Sequence, residues 1–375
     1  MLHQLHFDLT TPVTDDRPVY ITGNFCDWAI DLEVTHLQRV DSGTYTVDLF
    51  IDEALPEQIE YKYYRGGEGS LELDENGETT PNRTVYCGAE LVQDKVPYWQ
   101  HNGLSVDPTY LPIEQTLYFP YPGRPDERRV RVLLPFDYET SDAHYPVLYL
   151  NDGQNVVGEG EGFGSWKTEF RLEQLATRHR HRVIIVAIDY AGEDRTAEYT
   201  IESVEPGFGK GDTYLTFVTG TVKAHIDARY RTLPDVANTG MGGSSLGGLI
   251  TVWAGLAHPN VFGRWLVFSP ALWISRGIYR AATETPLRAC TRVYLYGSES
   301  ESREMVPNLI KLAASLRSVI SECAYHQQVI DPNGRHEEWR WSLELPRVIE
   351  WLLFNEPQVV QNVEVMDPAL QHSVH

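Results

Sequence analysis

The sequence predicts an α/β protein in two parts: a small all-β, immunoglobulin-like sandwich, then a mostly parallel sheet with helices on both faces. Three observations predict it. Up to about Val96 the chain runs in short alternating segments divided by clusters of Gly, Asn and Asp. Beyond residue 112, strands rich in Val, Ile and Leu alternate with helical stretches. Between an extended run and a small-residue helix lies the pentapeptide Gly243-Ser244-Ser245-Leu246-Gly247. A chain of 375 residues has room for two domains and a sizeable core.

In chain order, Val19-Tyr20-Ile21, Tyr45 to Leu49 and Ile59 to Tyr64 alternate with the period that gives a strand one dry and one wet face. They define a first domain over residues 1–100. Residues 101–112 read as a linker, within a stretch carrying prolines at 108, 112, 120, 122 and 125. The second domain, 113–358, has apolar strands at Val130 to Leu134, Val147 to Leu150, Val183 to Ile188, Asn238 to Met241, Trp265 to Phe268, Val293 to Tyr296 and Tyr325 to Ile330. Such near-continuous apolar runs fit a parallel sheet buried on both sides. A helix from Asp212 to Tyr230 carries Tyr214, Phe217, Val218, Val222 and Ile226 on one stripe. In another helix Leu249, Val252, Trp253 and Leu256 recur at helical spacing until His258-Pro259. Residues 359–375 read as a polar, frayed tail.

The formal net charge of −22 disfavours nucleic acid and anionic membranes as partners. Cys26, Cys87, Cys290 and Cys323 are scattered without a C-x-x-C pair, so they read as reduced core residues, with neither zinc nor a disulfide framework. No cofactor or metal is implied. The first residues lack a basic leader and a long apolar run, and no later run reaches membrane-spanning length. The expectation is a cytoplasmic monomer or homodimer acting on a small molecule.

The pentapeptide reads as a nucleophile elbow, in which a serine at the tip of a strand-to-helix turn takes strained backbone angles and needs small neighbours. Gly243 and Gly247 flank Ser245 at two residues on either side, whereas Ser244 would have Leu246 at its second flank. An elbow serine needs a base to take its proton and a carboxylate to orient that base. In the α/β-hydrolase order these follow later in the chain. After the strand ending at Tyr296 comes Gly297-Ser298-Glu299-Ser300-Glu301-Ser302, with two carboxylates, and after the strand ending at Ile330 comes a turn carrying His336. The N–H of Leu246 and that of Gln154, in Leu150-Asn151-Asp152-Gly153-Gln154-Asn155, suit an oxyanion hole. Asp152 reads as a turn residue capping its own loop. Trp166, Tyr199, Phe208 and Trp273 lie near these loops and are candidates for the lining of an aromatic acyl pocket.

From about residue 113 to 355 the chain resembles the putative-esterase branch of the α/β-hydrolases, which includes enterochelin esterase, esterase D and feruloyl esterases. The resemblance rests on Tyr149 to Asn155, Asp194-Arg195 with Glu198-Tyr199-Thr200, Gly243 to Gly248, His258-Pro259 with Phe262-Gly263, Phe268-Ser269-Pro270-Ala271-Leu272-Trp273, and Gly334-Arg335-His336-Glu337 with Trp339. It implies a serine carboxylesterase with Ser245 as nucleophile, His336 as base and backbone donors at Leu246 and Gln154. Members carry the acid four residues before a methionine; counting back from Met305 gives Glu301, with Glu299 as the alternative. The substrate expected is a hydroxycinnamoyl or acetyl sugar ester, or a siderophore trilactone. Acyl transfer with the same residues and a glycan-binding protein on a vestigial hydrolase scaffold are the alternatives.

The first hundred residues resemble sandwich modules that bind starch and glycogen, through Ile21-Thr22-Gly23-Asn24-Phe25 with Asp27-Trp28, Glu60-Tyr61-Lys62-Tyr63 and Asn82-Arg83. This implies glycan contacts at Trp28, Lys62, Tyr63 and Asn82. Enterochelin esterase also carries an N-terminal sandwich, which implies a role in shaping the active-site mouth; that role is preferred and sugar binding is second.

Overall fold

The computed structural model describes residues 2–12, 16–52, 57–67, 69–86, 89–201, 209–288, 290–319, 324–355 and 363–365. The chain divides into two compact units between Pro108 and Thr109.

The first unit is all-β: β1 (Leu2–Thr10), β2 (Val19–Gly23), β3 (His36–Asp41), β4 (Thr44–Asp52), β5 (Gln58–Arg65), β6 (Glu72–Leu73), β7 (Arg83–Tyr86), β8 (Leu91–Lys95) and β9 (Tyr98–Trp99). Seven of them pair in the order β7-β5-β2-β3-β4-β1-β8, while β6 pairs with β9. β3 makes the ladder continuous by pairing with β2 through His36 and Leu37, then with β4 after Leu37. Alternate residues point to one core: Leu5, Phe7 and Leu9 from β1, Tyr45, Val47, Leu49 and Ile51 from β4, and Ile59, Tyr61 and Tyr63 from β5.

The second unit holds a nine-stranded sheet of β10 (Ile113–Pro120), β11 (Glu127–Leu134), β12 (Val147–Asn151), β13 (Ile184–Ile188), β14 (Thr239–Ser244), β15 (Arg264–Phe268), β16 (Arg292–Ser298), β17 (Tyr325–Asp331) and β18 (Val363–Val365). Their order is β10-β11-β13-β12-β14-β15-β16-β17-β18. β10–β11 and β11–β13 are antiparallel and every later neighbour is parallel. The helices are α1 (Gly153–Val156), α2 (Thr168–His179), α3 (Arg195–Glu198), α4 (Gly211–Phe217), α5 (Lys223–Arg229), α6 (Leu246–Ala257), α7 (Gly277–Glu284), α8 (Met305–Arg317) and α9 (Glu338–Leu353). This is the α/β-hydrolase arrangement, in which a parallel sheet presents its functional loops at the carboxyl ends of the strands. No helix among the described residues is long and apolar enough to cross a membrane.

Four expectations change. β10 is an added edge strand, hidden from pattern reading by the prolines around it; the one within it, Pro120, sits harmlessly at the strand's end. The helix expected from Asp212 to Tyr230 is interrupted by a π-helical turn, Val218–Val222, where Thr219 Oγ1 donates to the Leu215 carbonyl at 2.8 Å and Gly220 adds no side chain. Cys26 and Cys290 are free but half-buried rather than core, and Cys87 and Cys323 lie outside the described residues. Within the expected tail, 363–365 form β18, which gives partners to the edge of β17; the rest of 359–375 lies outside the described residues.

Candidate active site

β14 ends at Ser244 and α6 begins at Leu246, so Ser245 alone makes the turn, at φ 56° and ψ −120°. A non-glycine residue there stores on the order of 1–3 kcal/mol of strain, which the surroundings must enforce. Two close approaches explain the flanking glycines. A Cβ on Gly243 would lie 2.8 Å from the carbonyl carbon of Gly247, and one on Gly247 would lie 2.8 Å from Asp152 Oδ2. The Ser245 N–H donates to the Phe268 carbonyl at 3.0 Å and its carbonyl accepts the Ala271 N–H at 2.9 Å. Beneath the turn, the Asn151 amide donates to the carbonyls of Gly242 and Gly247 at 3.0 and 3.1 Å, and accepts the Tyr214 hydroxyl at 2.6 Å. Ser244 is buried and Ser245 half-buried.

At the ends of β16 and β17, Glu301 Oε2 lies 2.7 Å from His336 Nδ1. The carboxylate is sealed, 2% exposed, while the imidazole is 38% exposed. With a carboxylate as acceptor, Nδ1 carries the proton and Nε2 keeps the lone pair a general base needs. Glu299, the alternative acid, is exposed, and its N–H donates to the Asp331 carbonyl. The histidine turn is built on buried Asp331, whose Oδ1 accepts the Asn333 N–H at 3.0 Å and whose Oδ2 accepts the Tyr296 hydroxyl at 2.7 Å and Arg340 Nε. Gly334 fits because a Cβ there would lie 2.5 Å from both Asp331 Oδ2 and Tyr296 Oη.

The N–H groups of Leu246 and Gln154 both sit in the first turn of a helix, α6 and α1, where the helical ladder offers no acceptor. The Gln154 side chain is pinned to the Tyr190 backbone by bonds of 3.1 and 2.9 Å. Asp152 departs from expectation: its side chain caps nothing. It makes a bidentate pair with Arg195 at 2.6 and 2.9 Å instead, and its oxygen crowds Gly247.

Glu338, which sequence reasoning passed over, lies at the start of α9 and is buried, accepting the Asn155 side-chain amide at 3.1 Å. Burial, with Asp152 nearby, pushes its carboxyl up to about 7 against the pull of Asn155, His336 and Arg195. Nothing in Glu337-Glu338-Trp339 separates one glutamate from the next; only the helix face does.

The expected pocket aromatics divide. Trp166 and Tyr199 are sealed, at 1% and 0% exposure, so neither meets a ligand entering from solvent. Trp166 packs on Phe268 and Trp341, and the Tyr199 hydroxyl accepts the Asp152 N–H. Trp273 is 45% exposed. Phe208 lies outside the described residues. No group of three or more His, Cys, Asp or Glu that could hold a metal occurs among the described residues.

In the first unit, Trp28, Lys62 and Asn82 line one concavity of about 560 Å³ together with Tyr64 and Leu71. Tyr63 does not join them. Successive residues of β5 face opposite ways, so Lys62 and Tyr64 face the concavity while Tyr63 enters the core, its hydroxyl donating to Asp94 at 2.8 Å. Lys62 Nζ donates to the Thr80 carbonyl, and Asn82 donates to Glu60 at 2.9 Å.

A model of the family described as Putative esterase matches residues 124–347, more than half of the chain. The chain is 23% identical over 239 residues to the uncharacterized protein YbbA of Bacillus subtilis (strain 168), covering 60% of this chain and 92% of that protein. It is 31% identical over 117 residues to an amylopullulanase of Thermoanaerobacter thermohydrosulfuricus, 30% of this chain but 8% of that protein. The solved enterobactin esterase FES of Shigella flexneri superposes with a TM-score of 0.52 at 17% identity over 92% of each chain, a likeness of fold.

Proposed function

We propose that this chain, which belongs to the Putative esterase family and is a carboxylic-ester hydrolase, cleaves its ester through an acyl-enzyme on Ser245. His336 Nε2 takes the hydroxyl proton as Ser245 attacks the carbonyl, then returns it to the departing alcohol. Glu301 holds the imidazole tautomer, and the N–H groups of Leu246 and Gln154 bind the oxyanion. A water activated by the same histidine releases the acid. The observation that carries this reading is the strained Ser245 turn at φ 56°, a conformation that costs energy and serves to present a side chain. Ser245→Ala that hydrolyses esters at the wild-type rate, or a fluorophosphonate adduct on a residue other than Ser245, overturns it.

The substrate proposed is a neutral, sugar-linked ester with a hydroxycinnamoyl or acetyl acyl group. The net charge of −22 repels an anionic metal–siderophore trilactone. Three arginines are held by carboxylates: Arg195 by Asp152, Arg128 by Glu198 and Arg129 by Asp189. Half-exposed Trp273 offers an aromatic face for an aryl acyl group. A panel of p-nitrophenyl, hydroxycinnamoyl, sugar acetyl and trilactone esters decides it; the highest kcat/KM on the trilactone rejects the neutral substrate.

A second reading concerns the first unit. The concavity with Trp28, Tyr64, Lys62 and Asn82 has the aromatic and polar groups that suit a glucan. Retardation of the protein in amylopectin-containing native gels supports it, and unaltered mobility rejects it.

A further inference from the structure

We propose that Ser269 is a positioning residue that fixes the Glu301 carboxylate for His336, and that Ser269, Glu301, His336 and Trp341 form a closed ring of side chains holding the base. The inference rests on the reading of Ser245, His336 and Glu301 as the hydrolytic triad.

Ser269 follows β15 directly, is fully buried, and has φ 41°, a left-handed conformation that is costly for a residue with a side chain. Its N–H donates to the Tyr296 carbonyl at 2.7 Å, tying the end of β15 to that of β16. The residues on either side, Phe268 and Pro270, lie against the start of α6 at Gly248. One short segment therefore touches both the nucleophile turn and the loop that carries the acid.

The hydrogen-bond directions around the hydroxyl are determined. Trp341 Nε1 lies 3.0 Å from Ser269 Oγ and an indole N–H can only donate, so the hydroxyl accepts there. Its own proton then goes to Glu301 Oε1 at 2.7 Å. That oxygen also accepts the Ser298 N–H at 3.1 Å, which leaves Oε2 to His336 Nδ1 at 2.7 Å. The ring closes through the Trp341 indole, which meets the His336 imidazole edge to face at 4.9 Å and 86°. With both oxygens engaged, the carboxylate cannot rotate away from the imidazole without breaking a buried hydrogen bond.

Ser269→Gly separates positioning from folding, because glycine adopts φ 41° without strain while removing the hydroxyl. The expected result is a kcat roughly 10- to 100-fold lower, KM changed by less than about threefold, and a protein that still unfolds cooperatively, its Tm lower by at most several degrees for the indole N–H left without its acceptor. The downfield proton resonance of His336 Nδ1–H should shift or broaden. Ser269→Ala should lose kcat similarly, and Trp341→Phe, which keeps the ring and removes the N–H, should lose less. Wild-type kcat and an unmoved resonance in Ser269→Gly, with Ser245→Ala inactive, overturn the proposal and leave the triad reading standing. An active Ser245→Ala overturns the triad reading itself. If Ser269→Gly does not fold, the kcat and resonance of Trp341→Phe decide: unchanged values overturn the proposal.

Discussion

The Ser245 turn and the Trp28 concavity are both candidate binding places, but they are built differently. At Ser245 every neighbour is committed: a strained serine held by backbone bonds on both sides, glycines with no room for a Cβ, and a buried carboxylate bonded to the histidine. In the concavity, Trp28 is 39% exposed and Asn82 donates to the exposed Glu60 side chain. Chemistry needs groups fixed within fractions of an ångström, so its site is over-determined. Binding a flexible polymer needs only a complementary face, so a half-exposed tryptophan suffices.

Substitutions can break or sharpen that contrast. The largest effect belongs to Ser245→Ala, with a loss of kcat of at least about 10⁴-fold on any ester the protein cleaves, read by initial rates. Next, Glu301→Gln should cost roughly 10³- to 10⁴-fold in kcat, because an amide can hold the wrong imidazole tautomer. Glu299→Gln should stay within about twofold in the same assay, and equal losses at both positions would dissolve the distinction drawn between the two acids.

Gly247→Ala tests the close approach. Its Cβ would lie 2.8 Å from Asp152 Oδ2 and 3.2 Å from Asn151 Cβ, so stability should fall by about 1–3 kcal/mol in urea unfolding. Glu338→Gln tests buried charge. A carboxyl raised by burial from its ordinary 4.5 to about 7 keeps its proton in the native state while the unfolded chain has lost it. Its contribution to stability is therefore greatest below pH 4.5 and lost as pH rises to 7, with a slope of at most about 1.4 kcal/mol per pH unit. The Tm of Glu338→Gln relative to wild type should climb from pH 5 to pH 8; a constant difference rejects the burial argument. In the concavity, Trp28→Ala should weaken glucan retention roughly threefold to tenfold by gel retardation.

Much of the second unit was legible along the chain. The strands at Val147, Val183, Trp265 and Val293 announce themselves as apolar runs, and Gly243 and Gly247 mark the strand-to-helix turn at Ser245. The first unit's pattern was legible too, but not its faces. Tyr63 and Tyr64 are adjacent tyrosines of equal chemistry, and only the pleat of β5 sends one to Asp94 and the other to the concavity. Asp152 looked like a local cap because local bonds are what a loop sequence suggests; its partner Arg195 comes from a different segment.

The sequence by itself determined the alternation of strands and helices from Val147 onward, the small residues that make the Ser245 turn, and the loops after Tyr296 and Ile330 that carry carboxylates and a histidine. These depend on periodicity and backbone freedom, which act over a few residues. Only the tertiary structure decided that Glu301 rather than Glu299 lies against His336, that Ser269 and Trp341 close a ring around that pair, that Trp166 and Tyr199 are sealed, and that Glu338 is buried. Those outcomes depend on which side chains from distant segments exclude water together, and burial and hydrogen-bond partners are properties of the packed chain.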